Sequence, residues 1–275
     1  MKLTVLVDNA TIDAAAPYLA GESALSYWIE TEGKKILWDT GASSAYAHNA
    51  EILGIDLAKT DYLVISHGHS DHIWGIDTLV ETIGLERAKQ ITLITHPLSF
   101  NRIRYFASEA KAWERKAEIE SWFQLQYTKE PVWLTDSLCY LGEIPRKNGF
   151  ESFTPNLKIS IDGQLVDDYL LDDSALTYRS EQGLVIIAGC SHAGICNTIE
   201  YAKQVTGEPR IHDVIGGFHL LAADRARVTA TGTYLQESGL ASMHPCHCTN
   251  LAAKMSLNTF VPVQEVGSGL VLEYE

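Results

Sequence analysis

Short apolar runs alternate with turn residues along the first third of the chain. Leu3 to Val7, Leu25 to Glu30 and Lys35 to Trp38 each carry the β-branched and aromatic content of strands. Gly21 and the Glu32-Gly33 pair punctuate them, and these runs predict antiparallel strands. Tyr62-Leu63-Val64-Ile65 is apolar without a break, as a strand buried on both faces should be, and it ends at Ser66. From Pro97 to about Gly149 the pattern changes to aromatic and charged stretches. Helices are predicted over Leu98 to Phe106 and Glu109 to Leu125, with Pro131, Pro145 and Gly149 as breakers, and the segment reads as an inserted cap over residues 97–149. Strand–loop–helix units follow. Leu184 to Ala188 leads through Gly189-Cys190-Ser191-His192 to a helix from Gly194 to about Lys203. His212 to Ile215 leads through Gly216-Gly217-Phe218-His219 to another, and Leu240 to Met243 leads through Pro245-Cys246-His247-Cys248 to a last one. Each of these loops places a histidine just past a strand end. Their recurrence suggests two similar halves packed together within one domain spanning residues 1–275.

Composition supports a large core, since 46% of the residues are hydrophobic and 9% aromatic. Asp and Glu outnumber Lys and Arg by 35 to 21, and the formal charge of −14 argues against a phosphate backbone or an anionic membrane as partner. A small-molecule substrate is the expected partner, with no nucleic acid and no membrane, and the oligomeric state is open. Five cysteines without framework spacing point to a reducing compartment. Because the apolar start Met1 to Val7 meets Asp8-Asn9 too soon for a secretion signal, a soluble, cytoplasmic protein is expected.

The chemistry concentrates in Ser66-His67-Gly68-His69-Ser70-Asp71-His72. In an extended segment His67 and His69 point to one side, while Asp71 and His72 lie where the chain turns into the next helix. Imidazoles with one carboxylate suit Zn²⁺ and its first-row neighbours rather than Ca²⁺ or Mg²⁺, which favour oxygen. Clustered imidazoles that nothing binds would repel one another once protonated.

His-x-His-x-Asp-His after a buried strand resembles the signature of metallo-β-lactamase-fold hydrolases, and the resemblance extends to Trp38-Asp39-Thr40-Gly41 upstream. It implies an α/β fold: a four-layer αβ/βα metallo-β-lactamase sandwich with two mixed sheets and an inserted helical cap. It also implies two divalent metal ions, Zn²⁺ before Mn²⁺, Fe²⁺ or Mg²⁺. His67 and His69 would hold one, Asp71, His72 and His247 the other, and Asp39 would orient the histidines from behind. Cys190 occupies the strand end where the family's bridging aspartate is expected. For the remaining ligand His192 ranks first, Cys190 second and Asp173, of the pair Asp172-Asp173, third. Asp71 is further expected to accept the proton of the attacking water. His219 is expected to donate to the developing oxyanion rather than to ligate. His96, His48, His212 and His244 read as structural, and Cys139, Cys196, Cys246 and Cys248 as packing residues.

Gly189-Cys190-Ser191-His192-Ala193-Gly194, Gly216-Gly217-Phe218-His219-Leu220 and Pro245-x-His247-Cys248-Thr249 together look like a narrower subgroup. It includes the archaeal dihydropterin–ribofuranosylaminobenzene-phosphate synthases and many metal-dependent hydrolases. The expected reaction is metal-assisted hydrolysis of a small, anionic ester, phosphodiester or related substrate. A transferase that releases pyrophosphate is the alternative, for which Trp113, Trp122, Tyr127 and Trp133 could stack a flat ring. A non-catalytic metal-binding protein is a further alternative. Diiron redox chemistry is disfavoured, because the flavodiiron proteins usually carry Glu where this chain has His69.

Overall fold

The computed structural model describes residues 1–12, 18–101, 103–104, 111–112, 116–152, 154–155 and 157–275. Two mixed sheets dominate it. The seven-stranded sheet runs Val271–Glu273, Lys2–Val7, Ser26–Thr31, Lys34–Trp38, Tyr62–Val64, Thr92–Thr95, Gln124–Tyr127. Its first four strands pair antiparallel, and Lys34–Trp38 onward pair parallel. The six-stranded sheet runs His244–Cys246, Ile211–Gly217, Gly183–Ala188, Ala175–Ser180, Leu138–Tyr140, Val132–Trp133, with the first three strands parallel.

The continuous apolar runs follow from burial on both faces of each sheet. Trp38, Val64 and Ile94 join Val185, Ile187 and Ile215 in a core between the sheets, whereas Leu37, Leu63 and Leu93 face the helices outside the first sheet. On the second sheet Leu184, Ile186 and Ala188 face outward against Ile195, Ile199 and Ala202 of helix Ile195–Thr206. Alternate residues of one strand thus feed two different cores, as the period of two requires. The resulting order is helix, sheet, sheet, helix. Truncating a fully buried residue such as Leu63 would cost about 2–5 kcal/mol.

Several predicted elements shift. The strand expected at Leu240 to Met243 forms instead at His244–Cys246, because pairing with Ile215–Gly217 sets its register, while Met243 bridges to Val263. Where a helix was predicted from Leu98, residues 97–100 form a turn closed by Ser99 N–H to the His96 carbonyl. Asn101 then exchanges hydrogen bonds with Ser160, which draws the chain toward the Lys158–Asp167 hairpin. Ile103–Arg104 pairs with Lys111–Ala112, and Trp113 lies outside the described residues. The second predicted helix is confined to Lys116–Trp122 among the described residues, and Leu125 belongs to an edge strand of the first sheet. Trp122 and Tyr127 pack on the outer core of that sheet, and Trp133 lies under Arg179 at 4.5 Å. These three rings hold this segment to the body. No helix among the described residues is long and apolar enough to cross a membrane.

Candidate metal centre

In both sheets the parallel strands end on the same side, and the loops past their C-terminal ends meet, the usual place for a site in an α/β fold. Trp38 delivers Asp39, Val64 delivers Ser66 and His67, and Ala188 delivers Cys190 and His192. Gly217 and Cys246 deliver His219 and His247. Four of these loop residues adopt left-handed backbone: Asp39 (φ 55°), Ser191 (57°), His219 (50°) and His247 (51°). Such conformations cost energy for non-glycine residues, and their concentration here marks a place where side-chain direction outweighs backbone comfort.

The histidines of the first motif meet partners from the second sheet. His67 Nε2 lies 3.0 Å from His69 Nδ1 and 3.2 Å from His192 Nε2. His72 Nε2 lies 3.2 Å from His247 Nε2, and an Asp71 carboxylate oxygen lies 3.3 Å from the same His247 nitrogen. Cys190 Sγ stands 3.2 Å from His72 Nε2. Two sets emerge, His67–His69–His192 and Asp71–His72–His247, and within each the donor atoms lie within 4.8 Å of one another. Cys190 borders both.

The donor set fits divalent metal. Zinc holds its ligands at 2.0–2.1 Å, so tetrahedral neighbours are about 3.3 Å apart. The separations of 3.0–3.3 Å between imidazole and carboxylate donors have that size. His247 Nδ1 is buried and has no hydrogen-bond partner among the described residues. Negative charge prevails around the imidazoles. Burial alone would lower the pKa of His72, yet the Asp39 and Asp71 carboxylates push it up to about 9. Burial likewise opposes ionisation of Asp71, but His72 and His247 hold its carboxyl below the usual range.

Behind the donors stands a fixed scaffold. Asp39 takes the Ser66 backbone N–H at 2.7 Å, the Ser66 hydroxyl at 2.7 Å and His72 Nδ1 at 2.7 Å. Ser66 Oγ also contacts His67 Nδ1 at 2.9 Å. Asp39 therefore orients His72 directly and His67 through a hydroxyl, while His69 lies outside its hydrogen bonds. Gly189 is required here, since a Cβ would fall 2.3 Å from Ser66 Oγ.

Asp172 and Asp173 brace the two loops that supply His67, His69 and His192. Asp172 accepts Gly68 N–H and Asp173 accepts Ala193 N–H, each at 2.8 Å. Asp173 belongs to neither donor set, and its role is to hold the His192 loop; burial pushes its pKa up to about 6. The His219 ring packs 4.1 Å from the His192 ring, beside the donors rather than among them. His96 contacts Glu143 at 3.2 Å, His48 the Tyr18 carbonyl, His212 the Tyr274 ring and His244 Asp213. Sequence reading passed over Ser66 and Asp8, the latter accepting His247 N–H at 2.9 Å. Asp8 carried one signal, a polar residue immediately after an apolar strand.

A model of the metallo-β-lactamase superfamily matches residues 19–203. The chain belongs to the metallo-β-lactamase superfamily. It is similar to a Methanocaldococcus jannaschii protein named 7,8-dihydropterin-6-methyl-4-(beta-D-ribofuranosyl)-aminobenzene-5'-phosphate synthase. The two are 31% identical over an alignment covering 90% of each chain. A solved structure, Tm1679, described as a metal-dependent hydrolase of the β-lactamase superfamily, shares 25% identity. Its TM-score is 0.81, with 99% of this chain and 98% of that one covered. The metallo-β-lactamase fold protein YhfI from Bacillus subtilis matches at TM-score 0.59 and 15% identity over 99% of both chains, a likeness of fold alone.

Proposed function

We propose that this protein is a metal-dependent hydrolase of a small, anionic ester, phosphodiester or related substrate, with two divalent ions, zinc first, held by His67, His69 and His192 and by Asp71, His72 and His247. Cys190 lies between the two. The observation that carries this reading is the meeting of two three-residue donor sets where the loops of the two sheets converge, with the Asp71 side chain still 34% exposed. When bound, the ions supply an activated water and polarise the bond to be broken. Asp71 is placed to accept a proton at its carboxylate. His72 and His67 are held in one orientation by Asp39 and Ser66, so the site needs little rearrangement during the reaction. His219, beside His192 and with a buried Nδ1 that has no partner among the described residues, is placed to donate a hydrogen bond to negative charge developing on substrate.

The 31% identity to a protein named as a synthase favours a second reading, a transferase that releases pyrophosphate from a pterin substrate. One experiment decides between them. Metal-loaded protein, its metal content measured by elemental analysis, is assayed against esters, phosphodiesters and a dihydropterin pyrophosphate. Hydrolysis of a simple ester or phosphodiester is expected; turnover of the pterin pyrophosphate alone, with an aromatic amine as acceptor, selects the transferase. Stoichiometric metal with no turnover of any substrate in the panel overturns both.

A further inference from the structure

We propose that Cys190 and Cys248 form a sulfur face on the His247 half of the centre, through which that half takes thiophilic divalent cations such as Zn²⁺ or Cd²⁺. This rests on the metal-centre reading above and adds ligands to it. The donor atoms of Cys190, His247 and Cys248 lie within 4.8 Å of one another, and Cys190 Sγ also groups with His67 and His72. Cys190 therefore stands at the border of the two halves, and Cys248 stands beside His247 alone.

Cys248 is seated as a ligand would be, not as packing. Its Sγ accepts the His219 backbone N–H at 3.3 Å and, as a thiol, donates to the Cys190 carbonyl at 3.5 Å, a proton that ligation would release. A donor N–H aimed at sulfur supports the electron-rich form that binds metal. Gly217 makes the position reachable, because a Cβ there would stand 2.5 Å from Cys248 Sγ. The other four cysteines are buried, whereas Cys248 keeps partial access to solvent. Thiolate ligands select zinc and other soft ions over magnesium or calcium. On coordination each thiol gives its proton to solvent, and no electron is transferred.

The test is spectroscopic. Metal-free protein kept reduced is titrated with Cd²⁺ or Co²⁺ while near-ultraviolet absorption and bound metal are measured together. The parent, Cys190→Ser, Cys248→Ser, the double variant and Cys139→Ser as a control are compared. A sulfur-to-metal charge-transfer band is expected in the parent, weaker in each single variant, absent in the double and unchanged in the control. Stoichiometric metal in the parent without that band overturns the sulfur face and leaves the metal centre standing. Parent intensity in Cys248→Ser likewise overturns the role of Cys248. No bound metal in the parent overturns the centre itself, and the sulfur face with it. Should Cys248→Ser fail to fold, alkylation of the parent decides. Cd²⁺ is expected to slow iodoacetamide modification of Cys248, followed by peptide mass, and an unchanged rate counts against ligation.

Discussion

His244 and His247 are three residues apart in Met243-His244-Pro245-Cys246-His247, yet they belong to buried clusters of opposite character. His244 begins a regular strand, and its Nδ1 meets Asp213 at 2.9 Å. The second Asp213 oxygen takes the Tyr274 hydroxyl at 2.7 Å, and the Val214 N–H completes the first. That network closes on itself within the protein. His247 lies past the strand end in a left-handed turn, where its Nε2 faces His72 Nε2 at 3.2 Å and an Asp71 oxygen at 3.3 Å. Two imidazole nitrogens facing each other either share one proton in a hydrogen bond or, both unprotonated, point their lone pairs at one cation. His244, with its ring inside the closed Asp213 network, is thus a structural element, and His247, whose Nε2 faces other candidate ligand atoms, is a candidate binding element.

The largest expected effect comes from the double change His67→Ala with His69→Ala. It should empty the His192 half of metal and bring turnover to background while the far-ultraviolet circular dichroism stays that of the parent, since the cores between and outside the sheets do not include these residues. Loss of folded structure would make the two clusters alike after all, both of them structural.

Asp39→Asn should act next. The amide keeps the size of the side chain but removes the charge that holds His72 and Ser66, and metal affinity should fall about 10–100-fold. Competition with a chelator measures it, and an unchanged affinity would separate Asp39 from the centre.

Tyr274→Phe probes the closed network. Removing a hydrogen bond to a carboxylate should cost about 1.5–3 kcal/mol in urea unfolding, with metal content unchanged. A drop in metal content would show that the two clusters are coupled through Ile211–Gly217.

The smallest effect is expected at His48→Ala. His48 sits on an exposed hydrogen bond to the Tyr18 carbonyl; stability should stay within about 0.5 kcal/mol of the parent and metal content should be unchanged. A loss of metal here would mean that histidine content, rather than position, governs binding.

The sequence alone marked the candidate metal ligands of the first motif and the buried strand that carries them. Ser66 to His72 sits after an uninterrupted apolar strand, and both facts are local: spacing within an extended segment orients the imidazoles, and burial on two faces demands an unbroken apolar run. The loops holding Cys190, His192, His219 and His247 were legible for the same reason, each being a histidine just past a strand end. What tertiary structure alone decided was the pairing of these loops across the two sheets. It set His192 beside His67, His247 beside His72 and Cys248 beside Cys190 and His247, and it turned Asp172 and Asp173 onto the Gly68 and Ala193 backbone N–H groups. The strand register at His244–Cys246 and the departure of residues 97–101 from a helix belong to the same class. Each depends on a contact with a residue far away in sequence, and local spacing carries no information about which distant backbone N–H or side chain will arrive to complete it.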